Sequence, residues 1–293
     1  MVPDTALATF ESVRPRLFGI AYRMMGTVAE AEDLVQEAWL RWQGADHERV
    51  REPAAFLATT VTRLALTELD SARARRERYV GSWLPEPVDT SADPALGAER
   101  AEALSFAVLL LLERLTPTER AAYVLHEAFD YPYRRIAEVL ETSEANARQW
   151  GSRARAHLER ARAASVTDAQ RERLLAAFLA AAQQGDLEAL EAVLADDIVA
   201  VSDGGGVVQA ARRPVAGRHN VARYLLGVLE KFAADLENVP ALYNGELAFV
   251  SLRGEQPIAV WTLDIAADGI RGFYNVMNPA KLSRIEVPSG HRG

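Results

Sequence analysis

The sequence predicts a multidomain chain in which two all-α units precede an α+β unit, on three observations. Up to about residue 164, apolar residues recur at helical spacing behind proline or hydroxyl-bearing starts. Residues 81–98 interrupt that pattern with three closely spaced prolines and little periodicity, as a linker does. From Val239 onward short strand-like runs dominate, punctuated by Asn244-Gly245, Gly254 and Asp268-Gly269. Helices first and strands later make an α+β unit. The expected boundaries are 4–80, 81–98, 99–164 and 165–293, giving three compact units.

Leu17, Ile20, Ala21 and Met24 form one apolar stripe, and Ala31, Leu34, Val35, Ala38 and Trp39 form a second. Gly26-Thr27 separates them, and Thr27 can cap the second helix. Pro53 starts a third helix that runs through an arginine-rich end. In the linker, Trp83 and Leu84 are too apolar to sit well in water, so an extended, docked segment is expected. After residue 164, Asp168–Gln184 is an amphipathic helix stopped by Gly185-Asp186, which caps a helix over 187–197. A strand over 198–206 follows, ending in a glycine turn, then a helix from Gly217 to Phe232.

Composition excludes several classes. With 293 residues and 49% apolar content, the chain has material for about two ordinary cores. It has no cysteine, so a disulfide framework and thiolate metal sites are out. The five histidines are scattered, and no metal or cofactor is expected. No signal-peptide pattern opens the chain, and its longest apolar run, Phe106–Leu112, is far below the ~20 residues a membrane span needs. A cytoplasmic protein without membrane contact is expected. The net charge of −8 argues against a non-specific nucleic-acid coat, but its distribution is uneven: residues 134–164 hold seven Arg against four Glu.

That basic stretch closes the segment Leu115–Leu158, which reads as helix, helix, tight turn, helix. Thr116-Pro117 with Glu119 behind it is a helix start, and Ser143 can cap the last helix. Ala145, Ala147 and Ala154 can pack inward, leaving Asn146, Arg148, Gln149, Ser152, Arg153 and Arg155 for a partner. This is the layout of a helix-turn-helix whose last helix enters a major groove, where Arg pairs with guanine and Asn or Gln with adenine. Spacing alone leaves a merely solvated arginine-rich helix equally open.

A second segment bears on the choice. Phe10–Trp42, with the core Ala31-Glu32-Asp33-Leu34-Val35-Gln36-Glu37-Ala38-Trp39-Leu40-Arg41, resembles the first conserved region of the extracytoplasmic-function sigma factors. The helix-turn-helix, closing in Ser152-Arg153-Ala154-Arg155, resembles that family's fourth region, in the right order and at the right separation. Trp83-Leu84-Pro85-Glu86-Pro87, Asp203-Gly204-Gly205-Gly206 and Asn278-Pro279-Ala280-Lys281-Leu282 resemble three signatures of a subgroup with a fused C-terminal SnoaL-like (NTF2-like) domain, a sheet wrapped round a helix as a cone. The resemblance covers nearly the whole chain.

The resemblance implies a factor that binds core RNA polymerase, recognises −35 and −10 promoter elements and starts transcription, and that is not an enzyme. Asp33, Leu34, Gln36, Glu37 and Arg41 would dock on the polymerase. Arg63, Arg73, Arg75 and Arg76 would contact the −10 strand. Arg148, Gln149, Ser152, Arg153 and Asn146 would read the −35 element, with Arg155 on phosphate. Trp83, Leu84, Pro85, Asp203, Gly204, Gly205, Gly206, Asn278, Pro279, Lys281 and Leu282 would make contacts within the chain by which the C-terminal domain tunes the sigma core.

The chain departs from the subgroup at four places. Glu68 and Asp70 stand where basic residues are usual, and are expected to face solvent. Val207 replaces a Lys and Ala280 an Asp, which removes the charges for a polar clasp between those two positions. A different class of function is a small-molecule sensor or isomerase-like enzyme with a DNA-binding appendage, whose available groups are Asp203, Asp264, His219, Tyr243 and Tyr274. Against it, strand-borne polar residues are expected at the surface and the aromatics in the core. An unidentified small ligand stays open as a partner. A helix-turn-helix repressor is disfavoured, since it has no use for Asp33–Arg41.

Overall fold

The computed structural model describes residues 4–91, 104–161, 166–232 and 235–286; the expected boundaries near 98 and 164 lie outside these. The chain divides into two compact units, Met1–Arg78 with Thr90–Ala161, and Tyr79–Asp89 with Arg162–Gly293.

The first unit is helical. Helices α1 (Asp4–Met25), α2 (Val28–Gln43) and α3 (Pro53–Glu77) bundle around Leu17, Ile20, Met24, Leu34, Val35, Leu57 and Val61. The start signals behave as the sequence predicts. The Thr27 side chain accepts the Glu30 amide, and Pro53 opens α3. Helices α4 (Phe106–Leu112) and α5 (Pro117–Tyr123) follow, and Thr116 and Glu119 complete a reciprocal capping box at the start of α5. Val124–Ala128 then widens into a π-helical turn, and α6 (Tyr133–Val139) and α7 (Glu144–Ala161) end the unit.

Arginines tie the early helices to the later ones. Arg120 of α5, 3% exposed, donates to the Met24 and Leu112 carbonyls and to Glu113 Oε1 at 2.8 Å. Burial lowers its pKa, and Glu113 opposes that shift. Arg16 donates to the Phe129 carbonyl at 2.7 Å and lies 5.2 Å from the Phe129 and Tyr131 ring centroids.

The second unit is built on a six-stranded sheet. Helix α8 (Asp168–Gln184) ends at Gly185, whose φ of 67° allows the left-handed cap. Helix α9 (Leu187–Val193) stops four residues earlier than expected, and β1 spans Leu194–Asp203. The reason is non-local: Leu194 pairs with Ile270 and is buried, so the sheet claims residues that the local pattern gives to the helix. Next come β2 (Val215–Ala216), α10 (Arg218–Phe232), β3 (Glu237–Tyr243), β4 (Glu246–Arg253), β5 (Gln256–Ala266), β6 (Gly269–Val276) and the short α11 (Pro279–Leu282). The sheet order is β2-β1-β6-β5-β4-β3. Strands β3 to β6 are antiparallel, and β1 runs parallel to β6. Asn244 and Gly245, both at positive φ, close the β3–β4 hairpin. Phe249, Trp261, Leu263 and Ile270 of the sheet pack with Phe178, Leu190, Val221 and Leu225 of the helices into one core.

Candidate nucleic-acid interface

Helix α7 is two-faced. Ala147, Gly151, Ala154 and Leu158 are buried, while Asn146, Arg148, Gln149, Ser152, Arg153 and Arg155 are exposed. Ala145 is exposed too, against expectation, because the buried row begins at Ala147 and a residue two positions earlier points away from it. The turn before α7 is tight: Thr142 N–H donates to the Ala137 carbonyl, and Glu141 sits at φ 52°. Ser143 accepts the Asn146 amide, so the helix start is capped as expected.

The exposed residues are not equally engaged. Arg148 donates to Glu144 at 2.7 Å and its guanidinium lies 5.1 Å from the Tyr133 ring centroid. Asn146 Nδ2 donates to Thr142 Oγ1 at 3.1 Å, and Arg155 pairs with Glu127. The side chains of Gln149, Ser152 and Arg153 have no hydrogen bond or ion pair within the chain among the described residues. One turn of helix thus presents an amide, a hydroxyl and a guanidinium together, a set that base edges and phosphates can both accept.

On α2, Asp33, Gln36 and Arg41 are exposed and Glu37 is half-buried, with Arg41 donating to Glu37 at 3.0 Å. Leu34, at 5% exposure, belongs to the bundle core, as its place in the apolar stripe already required. The apolar residue this face does expose is Leu40, at 54%.

The four α3 arginines separate into two kinds. Arg63 donates to the Val139 and Glu138 carbonyls at 2.9 and 3.0 Å, capping the end of α6, and pairs with Glu141. The Arg76 side chain, 13% exposed, binds the Met25 carbonyl and Glu113. These two bind groups within the unit, Arg63 while staying exposed and Arg76 while largely buried. Arg75 donates to Glu30 at 2.5 Å and stays half exposed, and Arg73 is the most exposed of the four, with Glu77 at 3.8 Å. Glu68 and Asp70 are exposed.

In the second unit, the linker forms a polar clasp around one carboxylate. Asp203, at the end of β1, is fully buried. Its Oδ1 accepts the Tyr79 hydroxyl at 2.6 Å and the Gly205 amide at 3.0 Å. Its Oδ2 accepts the Leu84 amide at 3.0 Å and Lys281 Nζ at 2.6 Å. Lys281 is itself buried; it also donates to the Leu84 carbonyl, and its Nζ lies 5.1 Å from the Tyr79 ring and 4.6 Å from the Trp83 ring. Asn278 Nδ2 donates to the Tyr79 hydroxyl at 2.7 Å, while its Oδ1 caps α11. Burial, then the Asp203 hydrogen bond, raises the Tyr79 pKa.

All three glycines that follow Asp203 are required by close approach. A Cβ on Gly204 would lie 2.3 Å from the Val208 carbonyl oxygen, one on Gly205 2.5 Å from the Asn278 side chain, and one on Gly206 2.9 Å from Val80 Cβ. Leu84 and Pro85 are buried and Trp83 is half-buried, so the segment is docked. Its far end is held by Asn244: the Val88 amide donates to Asn244 Oδ1 at 3.0 Å and Val88 accepts the Asn244 amide at 2.8 Å.

The reading of strand-borne polar residues as surface fails for Asp203, because the linker covers it. With four donors on its two oxygens, it is no free base. The other groups of the enzyme reading do not join it. His219 is exposed on α10 and meets Glu191, Tyr243 is buried under the Asp89 bridge, and Asp264 has its pKa raised by burial.

Comparison with known proteins decides the family. Residues 9–75 match the Sigma-70 region 2 model, and residues 105–158 match the Sigma-70, region 4 model. The chain is 43% identical over 248 residues to the ECF RNA polymerase sigma factor SigJ of Mycobacterium tuberculosis strain H37Rv, covering 82% of this chain and 79% of that protein. This chain belongs to the ECF RNA polymerase sigma factors. A probable ECF sigma factor of the same organism, SigI, is 36% identical and spans 98% of both chains. The crystal structure of the M. tuberculosis sigma factor SigJ aligns over 94% of this chain and 98% of its own, with a TM-score of 0.76 and 35% identity.

This ECF sigma factor is therefore a promoter-recognising transcription initiation factor and not an enzyme, from a family that binds core RNA polymerase and promoter DNA. Among the described residues no helix is long and apolar enough to cross a membrane. Sequence reasoning missed Tyr79, Asn244 and Tyr133. The Asn244-Gly245 turn was legible, but nothing local marks Asn244 as an anchor for a segment 156 residues earlier.

Proposed function

We propose that this ECF sigma factor reads a −35 element with Arg148, Gln149, Ser152, Arg153 and Asn146 and anchors Arg155 to phosphate. Core polymerase docks on the α2 face carrying Asp33, Gln36, Glu37 and Arg41, with Leu40 as its apolar contact. Arg73 and Arg75 at the end of α3 take the −10 strand, and Arg63 and Arg76 hold the helical unit together. The C-terminal domain tunes the sigma core in cis, through the segment that runs from the end of α3 into the clasp: Trp83, Leu84, Pro85, Asp203, Gly204, Gly205, Gly206, Asn278, Pro279, Lys281 and Leu282. We keep the sequence boundaries of 4–80 and 99–164 for the two sigma regions and 165–293 for the regulatory domain.

The observation that carries the regulatory part is the buried Asp203–Lys281 pair with the linker amide of Leu84 on the same carboxylate. A charge pair this buried is retained where geometry must be specified, since an apolar packing would be as stable. A groove of about 300 Å³ beside the clasp, lined by Val80, Gly81, Gly206 and Arg212 among others, is where a small ligand would act on it.

The test is run-off transcription with core polymerase on a promoter library, comparing the full chain with residues 1–164. More transcript from the shorter chain makes the domain an inhibitor, and less makes it part of the active form. Equal yields refute tuning in cis.

A further inference from the structure

Tyr133 opens α6, the first helix of the helix-turn-helix, and its ring is held on two sides. The His126 ring stacks on it with centroids 4.1 Å apart and planes 28° apart. The Arg148 guanidinium lies 5.1 Å from its centroid, within cation–π range. Helix α7 makes room for this ring with Gly151: a Cβ there would come within 2.8 Å of the Tyr133 hydroxyl oxygen and 2.9 Å of a ring carbon. Glycine in the middle of a helix is unfavourable on propensity, so its presence opposite this ring fits a packing demand. On its other side Arg148 is bonded to Glu144 at 2.7 Å.

We infer that Tyr133 is a positioning residue that sets −35 base preference by fixing the Arg148 guanidinium before DNA arrives. This rests on the proposed reading that Arg148 contacts a base edge. A long, flexible arginine distinguishes bases only if its planar fork meets the acceptors of guanine in register, and ring and carboxylate together restrict the planes it adopts. Non-specific attraction to phosphate needs the charge but not the orientation. Losing Tyr133 therefore relaxes selectivity and leaves general affinity in place.

The experiment uses the full chain bound to core polymerase and a promoter library randomised across the −35 element, at fixed salt. Four variants are compared with the parent: Tyr133→Leu, Tyr133→Phe, Gly151→Ala and Arg148→Ala. The expected result is a roughly 5- to 20-fold loss of discrimination at one base pair in Tyr133→Leu and Gly151→Ala, with total library binding within about 2-fold. Tyr133→Phe keeps the π face and the parent's preference. Arg148→Ala loses preference at the same base pair, and adding Tyr133→Leu to it changes nothing more.

If Arg148→Ala relaxes that base pair and Tyr133→Leu does not, the positioning role is wrong and the Arg148 reading stands. If Arg148→Ala keeps the parent's preference, the Arg148 reading itself is wrong and the positioning role falls with it. A uniform loss of binding at every sequence in Tyr133→Leu, with a lowered melting temperature, makes the ring merely structural and overturns the inference.

Discussion

Replacing Asp203 by Asn should open the clasp while leaving the sheet folded. The substitution keeps size and shape but turns one acceptor oxygen into a donor, although all four contacts at this carboxylate come from donors: Tyr79, Gly205, Leu84 and Lys281. One pair of donors must then face an NH2 group, and Lys281 loses the negative charge beside its buried ammonium. Removing one partner of a buried ion pair costs about 3–5 kcal/mol, which shifts the closed-to-open ratio by roughly two to three and a half orders of magnitude. Hydrogen exchange reads this directly at the Leu84 amide, which donates to Asp203. The Val88 amide, held by Asn244 instead, is the internal comparison. Leu84 should lose protection by about that factor, and amides of β4 and β5 should keep theirs, since the core of that unit does not include Asp203. Unchanged protection at Leu84 would refute the reasoning, as would global unfolding of the unit. Lys281→Met in the Asp203→Asn background should recover part of the loss, because a buried ion pair replaced on both sides is cheaper than one broken on one side.

Three further outcomes follow. Arg148→Ala should cost about 1–3 kcal/mol at the preferred −35 sequence and little at others, whereas Arg155→Ala should weaken all sequences alike and lower the salt slope by about one; filter binding of the holoenzyme across a salt series separates them. Arg120→Ala leaves the Met24 and Leu112 carbonyls without their buried donor and Glu113 with Arg76 alone, and should destabilise the helical unit by about 2–3 kcal/mol in urea melts. The third concerns pH: burial, then the charges of Asp89 and Glu286, pushes the Tyr243 hydroxyl from 10.0 up to about 12. A group whose pKa is higher folded than unfolded stabilises fully below its unfolded value, so the second unit should lose on the order of 1–2 kcal/mol, after solvent screening, as pH rises from 10 to 12. Tyr243→Phe should remove that part of the pH dependence, as urea midpoints at pH 9 and 11.5 would show.

Much of the fold was legible because helix starts are local chemistry. Thr27, Pro53, Thr116, Ser143 and Asp186 sit where a side-chain oxygen or a fixed φ serves the next turn, and each does so in the structure. The strand over Leu194–Asp203 was only partly legible, since its first residues are recruited by β6, some 76 residues later. Arginine roles were the least legible. Arg63 and Arg76 read as contacts to the −10 strand, yet each is bound to backbone carbonyls on segments distant in sequence, and no spacing rule connects them. The clasp was legible only as three resembling signatures. The loss of charge at positions 207 and 280 argued only against a clasp between those two positions, and the clasp in the structure uses others: Asp203, Lys281, Tyr79 and Asn278. Leu34 is the reverse case, in which the apolar period was the better guide to its buried position.

The most direct test of the central claim is run-off transcription by core polymerase loaded with the full chain or with its Asp203→Asn variant, on one preferred promoter. The account predicts start sites shared by both and a transcript yield that differs several-fold, because the clasp and not the DNA-reading surface has changed. Equal yields, together with an opened clasp by hydrogen exchange, would contradict it.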